Sequence, residues 1–159
     1  MLNLVQDKYM PVLADNKKAY YNYQVLEEFE AGLVLSGPEV KAAKLGHINL
    51  KGSFVSIGPD GAVIKNMHIS PYLKAKLAQT NYEPAKTRQL LLNKQEIDHL
   101  IGKNQEKGLT IVPLSVYTTR RLVKVKIALV KGKKEFDKRQ TIKQRDTNRE
   151  IARKLKNRF

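Results

Sequence analysis

Residues 131–159 hold too little apolar material to fold by themselves, and this fixes where the core of the chain has to be built. Of these 29 residues 12 are Lys or Arg, 4 are Asp or Glu and one is glycine. The segment opens with Lys131-Gly132-Lys133-Lys134-Glu135-Phe136-Asp137-Lys138-Arg139, directly after the apolar run Leu122 to Val130. A packed body therefore ends near Val130 and a cationic arm begins. The chain of 159 residues has room for one domain of ordinary size, with a core large enough to fold without staples. The formal charge is +15, of which the arm carries +8 and residues 1–130 the remaining +7. An excess of that size gives salt-dependent attraction to nucleic acid through counterion release, and it serves an anionic membrane equally well. The chain has no cysteine, which removes disulfides, thiolate zinc sites and cysteine nucleophiles together and fits a reducing compartment. Met1 to Pro11 carries Asp7 and Lys8, and no 18 consecutive residues are apolar, so neither a signal peptide nor a spanning helix is expected.

The body reads as mainly β. Tyr21-Asn22-Tyr23-Gln24-Val25 and Gly32-Leu33-Val34-Leu35 are β-prone stretches on either side of the acids Glu27, Glu28 and Glu30, and two strands are expected there. Gly37 to Gly46 has proline at a first helical position, an acid in the first turn and a glycine stop, which predicts a short helix. Ser53 to Ile57 and Ala62 to Ile64 are joined by Gly58-Pro59-Asp60-Gly61, the chemistry of a hairpin turn. Pro71 to Arg88 has no clear period and reads as a long surface loop. Asn93 and Glu96 are spaced as a capping box, Leu92 and Ile97 as a staple, and Gly102 as the end of a second helix. Leu109 to Tyr117 and Leu122 to Val130 predict two strands, with Pro113 implying a bulge or an edge in the first. In the second, Val123, Val125, Ile127 and Leu129 share one face, and Lys124 and Lys126 the other. About six short strands with helical inserts suggest a small closed or half-closed barrel.

Candidate chemistry is thin for an enzyme and richer for a binding protein. His47, His68 and His99 are far apart, with no carboxylate at metal-ligand spacing. Glu27, Glu28 and Glu30, the last two on one strand face, allow a metal-dependent nuclease reading, against the plainer one of solvated acids or acids paired to lysines. Lys124 and Lys126 have a plain reading too, the wet side of a half-buried strand. Tyr20, Tyr21 and Tyr23 supply rings on which bases stack, and barrel faces that combine cations with aromatics hold unpaired nucleotides. Asn93 is first of all a helix cap. In the arm, Arg145, Arg149, Arg153 and Lys156 fall along one helical face and Ile151, Leu155 and Phe159 along another, about 120° away. Like charges on one face disfavour an isolated helix, so the arm is expected to be coil when free and helical on RNA, the alternative being a permanently disordered tether.

Five motifs then occur in order. They are Asn16-Lys17-Lys18-Ala19; Glu28 to Gly37 with Glu39-Val40-Lys41; Thr87 to Asn93; Lys124 to Ala128; and Lys131 to Lys134 with Asp137-Lys138-Arg139. Together they resemble the small protein B family, the SsrA-binding proteins. The resemblance implies an oligonucleotide-binding-type β-barrel with two or three short helices and a basic tail that is helical on binding. Its divisions would be an N-terminal extension at 1–15, the barrel at 16–130 and the tail at 131–159. It implies a cytoplasmic, monomeric adaptor of ribosome rescue, without cofactor, metal or catalytic residues. The partners would be transfer-messenger RNA and the decoding region of the small ribosomal subunit, with elongation factor Tu and alanyl-tRNA synthetase engaged through the RNA and no membrane involved. Expected RNA contacts of the body are Asn16, Lys17, Lys18, Tyr23, Glu30, Leu91, Asn93, Lys124 and Lys126. Those of the tail are Gly132, Lys133, Lys134, Phe136, Asp137, Lys138, Arg139, Arg145, Arg149 and Arg153. A helical tail over residues 137–159 would reach about 35 Å, enough to line an RNA tunnel. The chain departs from many relatives at Pro38, which suits a first helical turn, and at Phe136, where some members carry histidine; a ring there still stacks but takes no proton. Two rival readings stand beside this one, a structural ribosomal protein with a basic extension and an RNA-processing enzyme using Glu28 and Glu30.

Overall fold

Alternating inward and outward side chains along two long consecutive strands set the frame of the computed structural model, which describes residues 11–157. These strands are β8 (Leu109–Thr119) and β9 (Leu122–Gly132). In chain order the earlier elements are β1 (Val12–Asp15), α1 (Lys17–Asn22), β2 (Tyr23–Leu33), α2 (Gly37–Lys44), β3 (Ile48–Asn49), β4 (Phe54–Gly58), β5 (Gly61–Lys65), β6 (His68–Ile69), a 3-10 segment Leu73–Gln79, β7 (Arg88–Leu91) and α3 (Lys94–Asn104). The last element is α4 (Glu135–Lys156). Seven strands pair antiparallel in the order β1-β8-β9-β2-β7-β5-β4, while β3 and β6 form a separate short pair. Because β4 comes back against β8, the sheet rolls into an oligonucleotide-binding-type barrel.

The barrel interior is filled by Val123, Val125, Ile127 and Leu129 of β9 with Ile64, Met67, Ile69, Ile111 and Val116, all buried. Helix α3 closes it by inserting Leu100 near β4 and β8. A second, smaller cluster lies on the outside of the same sheet. There Ala19 of α1 covers Val112, Leu114, Ala128 and Val130, with Tyr23 and Val25 beside them. The stretch Ile127 to Val130 of β9 is thus buried on both faces, while Lys124 and Lys126 keep outward, partly wet positions.

Several expectations need correcting. The acids do not separate two strands; β2 runs unbroken through them, with a bulge between Val25 and Glu27 that absorbs Leu26. Tyr20 and Tyr21 lie in α1, a helix the residue pattern did not announce, and β2 begins only at Tyr23. Residues 12–15, expected in an N-terminal extension, form β1 and pair with β8. Residues 1–10, Arg158 and Phe159 lie outside the described residues, as do the side chains of Glu135 and Phe136. Pro113 makes a bulge in an inner strand, not an edge, since β8 pairs with β1 on one side and β9 on the other. Gly102 lies inside α3, which continues to Asn104.

Pro71 to Arg88 is not merely surface loop, for it ends in the most completely bonded side chain described. The Arg88 guanidinium, 1 % exposed, donates from Nε to Glu39 Oε1 at 3.1 Å and from Nη1 to the carbonyls of Met67 at 2.6 Å and Lys86 at 3.2 Å. Its Nη2 donates to the Tyr82 hydroxyl at 3.0 Å and the Pro84 carbonyl at 2.8 Å, so all five N–H groups have partners. Glu39 also accepts from the Ser36 amide at 3.0 Å and pairs with Lys86 at 3.1 Å. Burial pushes the Glu39 carboxyl up, but the Ser36 amide, Arg88 and Lys86 outweigh it and hold it below its ordinary value. This network ties α2 and the loop before β7 to the barrel.

Candidate nucleic-acid interface

The outer face of the barrel brings together most of the body residues expected to touch RNA. Across four strands the register places Tyr117 of β8 opposite Lys124 of β9, Lys124 opposite Gly32 of β2, and Gly32 opposite Leu91 of β7. Two residues back on β2, Glu30 stands opposite Lys126, on the same face as Gly32. Lys124 Nζ donates to Glu30 Oε1 at 2.6 Å, and the Tyr117 hydroxyl donates to Glu30 Oε2. Lys126 pairs with Glu28 at 3.7 Å. Leu91 is 57 % exposed, and Asn93 follows two residues later at the head of α3. There its carboxamide accepts from the Glu96 amide at 2.9 Å, while Glu96 accepts from the Asn93 amide at 3.3 Å, the reciprocal cap expected from the spacing.

Electrostatics fix the protonation of this cluster. The hydrogen bonds from Lys124 and then Tyr117 hold the Glu30 carboxyl below its ordinary value. Burial, then the bond to Glu30, pushes the Tyr117 phenol far above its own, so the hydroxyl remains a donor. The third acid, Glu27, turns elsewhere and meets His99 of α3 at 2.8 Å, with the Phe29 ring 6.2 Å from the imidazole. The acids that allowed a nuclease reading each face a base of their own, and no group of three or more His, Asp or Glu able to hold a metal ion occurs among the described residues.

A second set of expected residues lies elsewhere, around α1 and the root of α4. Asn16 is a fastener. Its amide donates to the Leu114 carbonyl at 2.8 Å and its Nδ2 to the Pro113 carbonyl at 2.9 Å, satisfying both acceptors at the β8 bulge. Lys17 and Lys18 are exposed on α1, whereas Tyr23 packs against the outer apolar cluster and does not present a free ring. Gly132, expected among the tail contacts, is held as the last residue of β9 opposite Tyr23. The link to α4 is fastened one step later. The Lys133 amide donates to the Asn22 carbonyl at 2.9 Å, and its Nζ donates to the Tyr20 carbonyl at 2.9 Å and to Thr141 Oγ1 at 3.0 Å. Lys134 is the N-cap of α4 and is exposed, while Lys138 lies over the Tyr21 ring at 6.0 Å. Asp137, Arg139, Arg145, Arg149 and Arg153 all fall on α4, a helix of 22 residues that packs against α1 at its root.

A family model described as SmpB protein matches residues 13–157. This chain belongs to the SmpB family. The SsrA-binding protein of Persephonella marina is 50 % identical over 145 residues, covering 91 % of this chain and 94 % of the relative. That of Carboxydothermus hydrogenoformans is 45 % identical over 148 residues, with 93 % and 98 % covered. A solved structure, "tmRNA-SmpB: a journey to the center of the bacterial ribosome", contains a chain 40 % identical to this one that superimposes with a TM-score of 0.65. The match covers 79 % of this chain and 86 % of that one. Within this member of the SmpB family, two residues of the outer face escaped the sequence reading. Gly32 was legible as an unusual glycine inside a strand, a sign of close approach by another group. Tyr117 was legible only through the β8–β9 register, which no local pattern supplies. No helix among the described residues is long and apolar enough to cross a membrane.

Proposed function

We infer that this chain is an RNA-binding adaptor of trans-translation in the bacterial cytoplasm, and not an enzyme. The observation that carries the reading is similarity to SsrA-binding proteins along nearly the whole of both chains. The barrel grips the transfer-RNA-like part of transfer-messenger RNA through the face of Glu30, Leu91, Asn93, Lys124 and Lys126, with Lys17 and Lys18 at the α1 end, which Asn16 and Tyr23 hold in place. Helix α4 carries the tail contacts into the decoding site and messenger channel of a stalled small subunit, with Gly132, Lys133, Lys134, Asp137, Lys138 and Arg139 at its root. Elongation factor Tu and alanyl-tRNA synthetase are engaged through the RNA. Physical support comes from the layout. At 1.5 Å per residue α4 spans about 33 Å, and its side chains are exposed along most of that length.

The test compares the full chain with one ending at Lys134, which keeps β9 intact. The shorter chain should bind the transfer-RNA-like RNA with a smaller salt slope and fail to release stalled ribosomes. Rescue by the shorter chain would overturn the role given to α4.

A further inference from the structure

On a chain of charge +15 the outer face is, oddly, locally neutral: Glu30 is paired with Lys124 and Glu28 with Lys126. A phosphate brought there meets a carboxylate beside each ammonium. Lys17 and Lys18 on α1 and the basic residues along α4 offer phosphate a better partner. What the outer face offers is a fixed hydrogen-bond acceptor beside an exposed apolar side chain, Leu91. Glu30 is half exposed, and each of its oxygens already takes one protein donor, Lys124 on Oε1 and Tyr117 on Oε2. An ionised carboxylate has about four lone-pair sites, so one remains at each oxygen. The carboxylate is clamped from two sides, which fixes where those remaining sites stand. Next to it the Leu91 side chain lies across Gly32, which stands between Lys124 and Leu91 in the register. A Cβ at Gly32 would lie 3.3 Å from Leu91 Cβ, tight enough that Leu91 would have to shift. Leu91 itself leaves more than half of its surface in water.

We propose that this face is a slot for one unpaired guanine, which packs against the exposed side of Leu91 and donates its N1–H and N2–H to the two oxygens of Glu30. The inference rests on the RNA-binding function above and names what that site reads. Guanine is selected by simple accounting of donors. Of the four neutral RNA bases only guanine carries two adjacent donors on its Watson–Crick edge, while adenine, cytosine and uracil each offer one beside an acceptor, which the carboxylate repels. Tyr117 is then a positioning residue: it never meets the base, and it holds the carboxylate that does. Lys124 has the same duty and is not chiefly a phosphate ligand.

The experiment measures binding of the transfer-RNA-like RNA at fixed salt while each unpaired guanosine is replaced, one at a time, by inosine, which lacks the N2 amine. For the wild-type chain one replacement should weaken binding about tenfold, the scale of a good base contact. Glu30→Gln should bind the guanosine and inosine forms of that RNA alike, and Tyr117→Phe should lose most of the discrimination while keeping its cooperative unfolding. If no single inosine changes wild-type affinity more than about twofold, or if Glu30→Gln still discriminates, the slot is wrong while the RNA-binding function stands. If the wild-type chain binds this RNA no better than an unrelated structured RNA of equal length, that function and the slot fail together.

Discussion

Two carboxylates of this protein, Glu39 and Glu30, are each held below their ordinary range, yet they do opposite work. Glu39 is 1 % exposed and faces an arginine whose five donors are all engaged. Glu30 is half exposed and faces a lysine that is 27 % exposed. In the first pair little is left for a partner to bind, so the network is scaffold. In the second, both oxygens keep acceptor capacity toward water, so the pair can receive something. The same ion-pair chemistry is therefore structural or receptive according to whether its hydrogen-bonding capacity is used up, and burial is what uses it up.

The largest effect should come from breaking the buried member. Arg88→Met removes the buried partner of Glu39, leaving it only the Ser36 amide and the half-exposed Lys86, and takes one donor each from the carbonyls of Met67, Lys86 and Pro84, and should cost about 3–5 kcal/mol in urea unfolding. Arg88→Lys should recover little, because a single ammonium cannot span five acceptors on separate segments. A loss below about 1 kcal/mol for Arg88→Met would show that the network is not what holds α2 to the barrel. The pH dependence separates the pair further. Because the folded carboxyl of Glu39 titrates below its ordinary value of 4.5, its contribution is complete above that pH and is lost as the pH falls through the lower folded value. The urea midpoint of the wild type should fall in that acid window. Glu39→Gln should start lower at neutral pH and show a shallower acid limb; parallel limbs would remove Glu39 from acid unfolding.

How much of this contrast could be read from the sequence differs between its halves. The β9 alternation, the Gly58 to Gly61 hairpin turn, α2 and the Asn93 cap were all legible, since each rests on neighbours within a few residues. The receptive pair was half legible: Lys124 and Lys126 share a face by period, but their partners on β2 depend on register between strands about 95 residues apart. The buried pair was hidden, because Arg88 closes a stretch with no periodicity and Glu39 reads as an ordinary first-turn acid. Helix α1 was hidden as well. Its Lys-Lys-Ala-Tyr-Tyr-Asn run has no acid in its first turn and carries two aromatics with Tyr23 just beyond, so it reads as strand until Ala19 is seen against Leu114 and Val130.

Smaller effects should follow the same division. Asn16→Ala removes one side-chain donor from the β8 bulge and leaves the Pro113 carbonyl to find water, at about 1 kcal/mol. RNA affinity should fall no further than that change explains; a loss of RNA binding with stability intact would make Asn16 a direct contact. On the receptive face, Lys126→Ala breaks an exposed pair of 3.7 Å and should cost between ~0 and ~1 kcal/mol. Removal of this lysine should nonetheless weaken RNA binding, so a stability loss beyond ~1 kcal/mol with RNA affinity unchanged would mean that the face is scaffold after all.

The smallest stability effect is expected from deleting the longest helix. Residues 135–157 are exposed or only partly buried wherever their side chains are described, and α4 meets α1 through Lys133, Thr141 and Lys138 at its root. Ending the chain at Lys134 should change urea unfolding by no more than about 0.5 kcal/mol. Nothing in the barrel then supplies the tertiary packing that a helix of this length needs in water, and its row of Arg145, Arg149 and Arg153 repels itself. A peptide of residues 135–159 should accordingly give a coil spectrum by circular dichroism in buffer and gain helix on titration with structured RNA, the gain shrinking as salt rises. A peptide already fully helical in buffer would mean that α4 carries its own stability and enters its channel preformed. A peptide that stays coil at saturating RNA would leave α4 dependent on the body, with Lys133 and Tyr20 at its root as the nucleus.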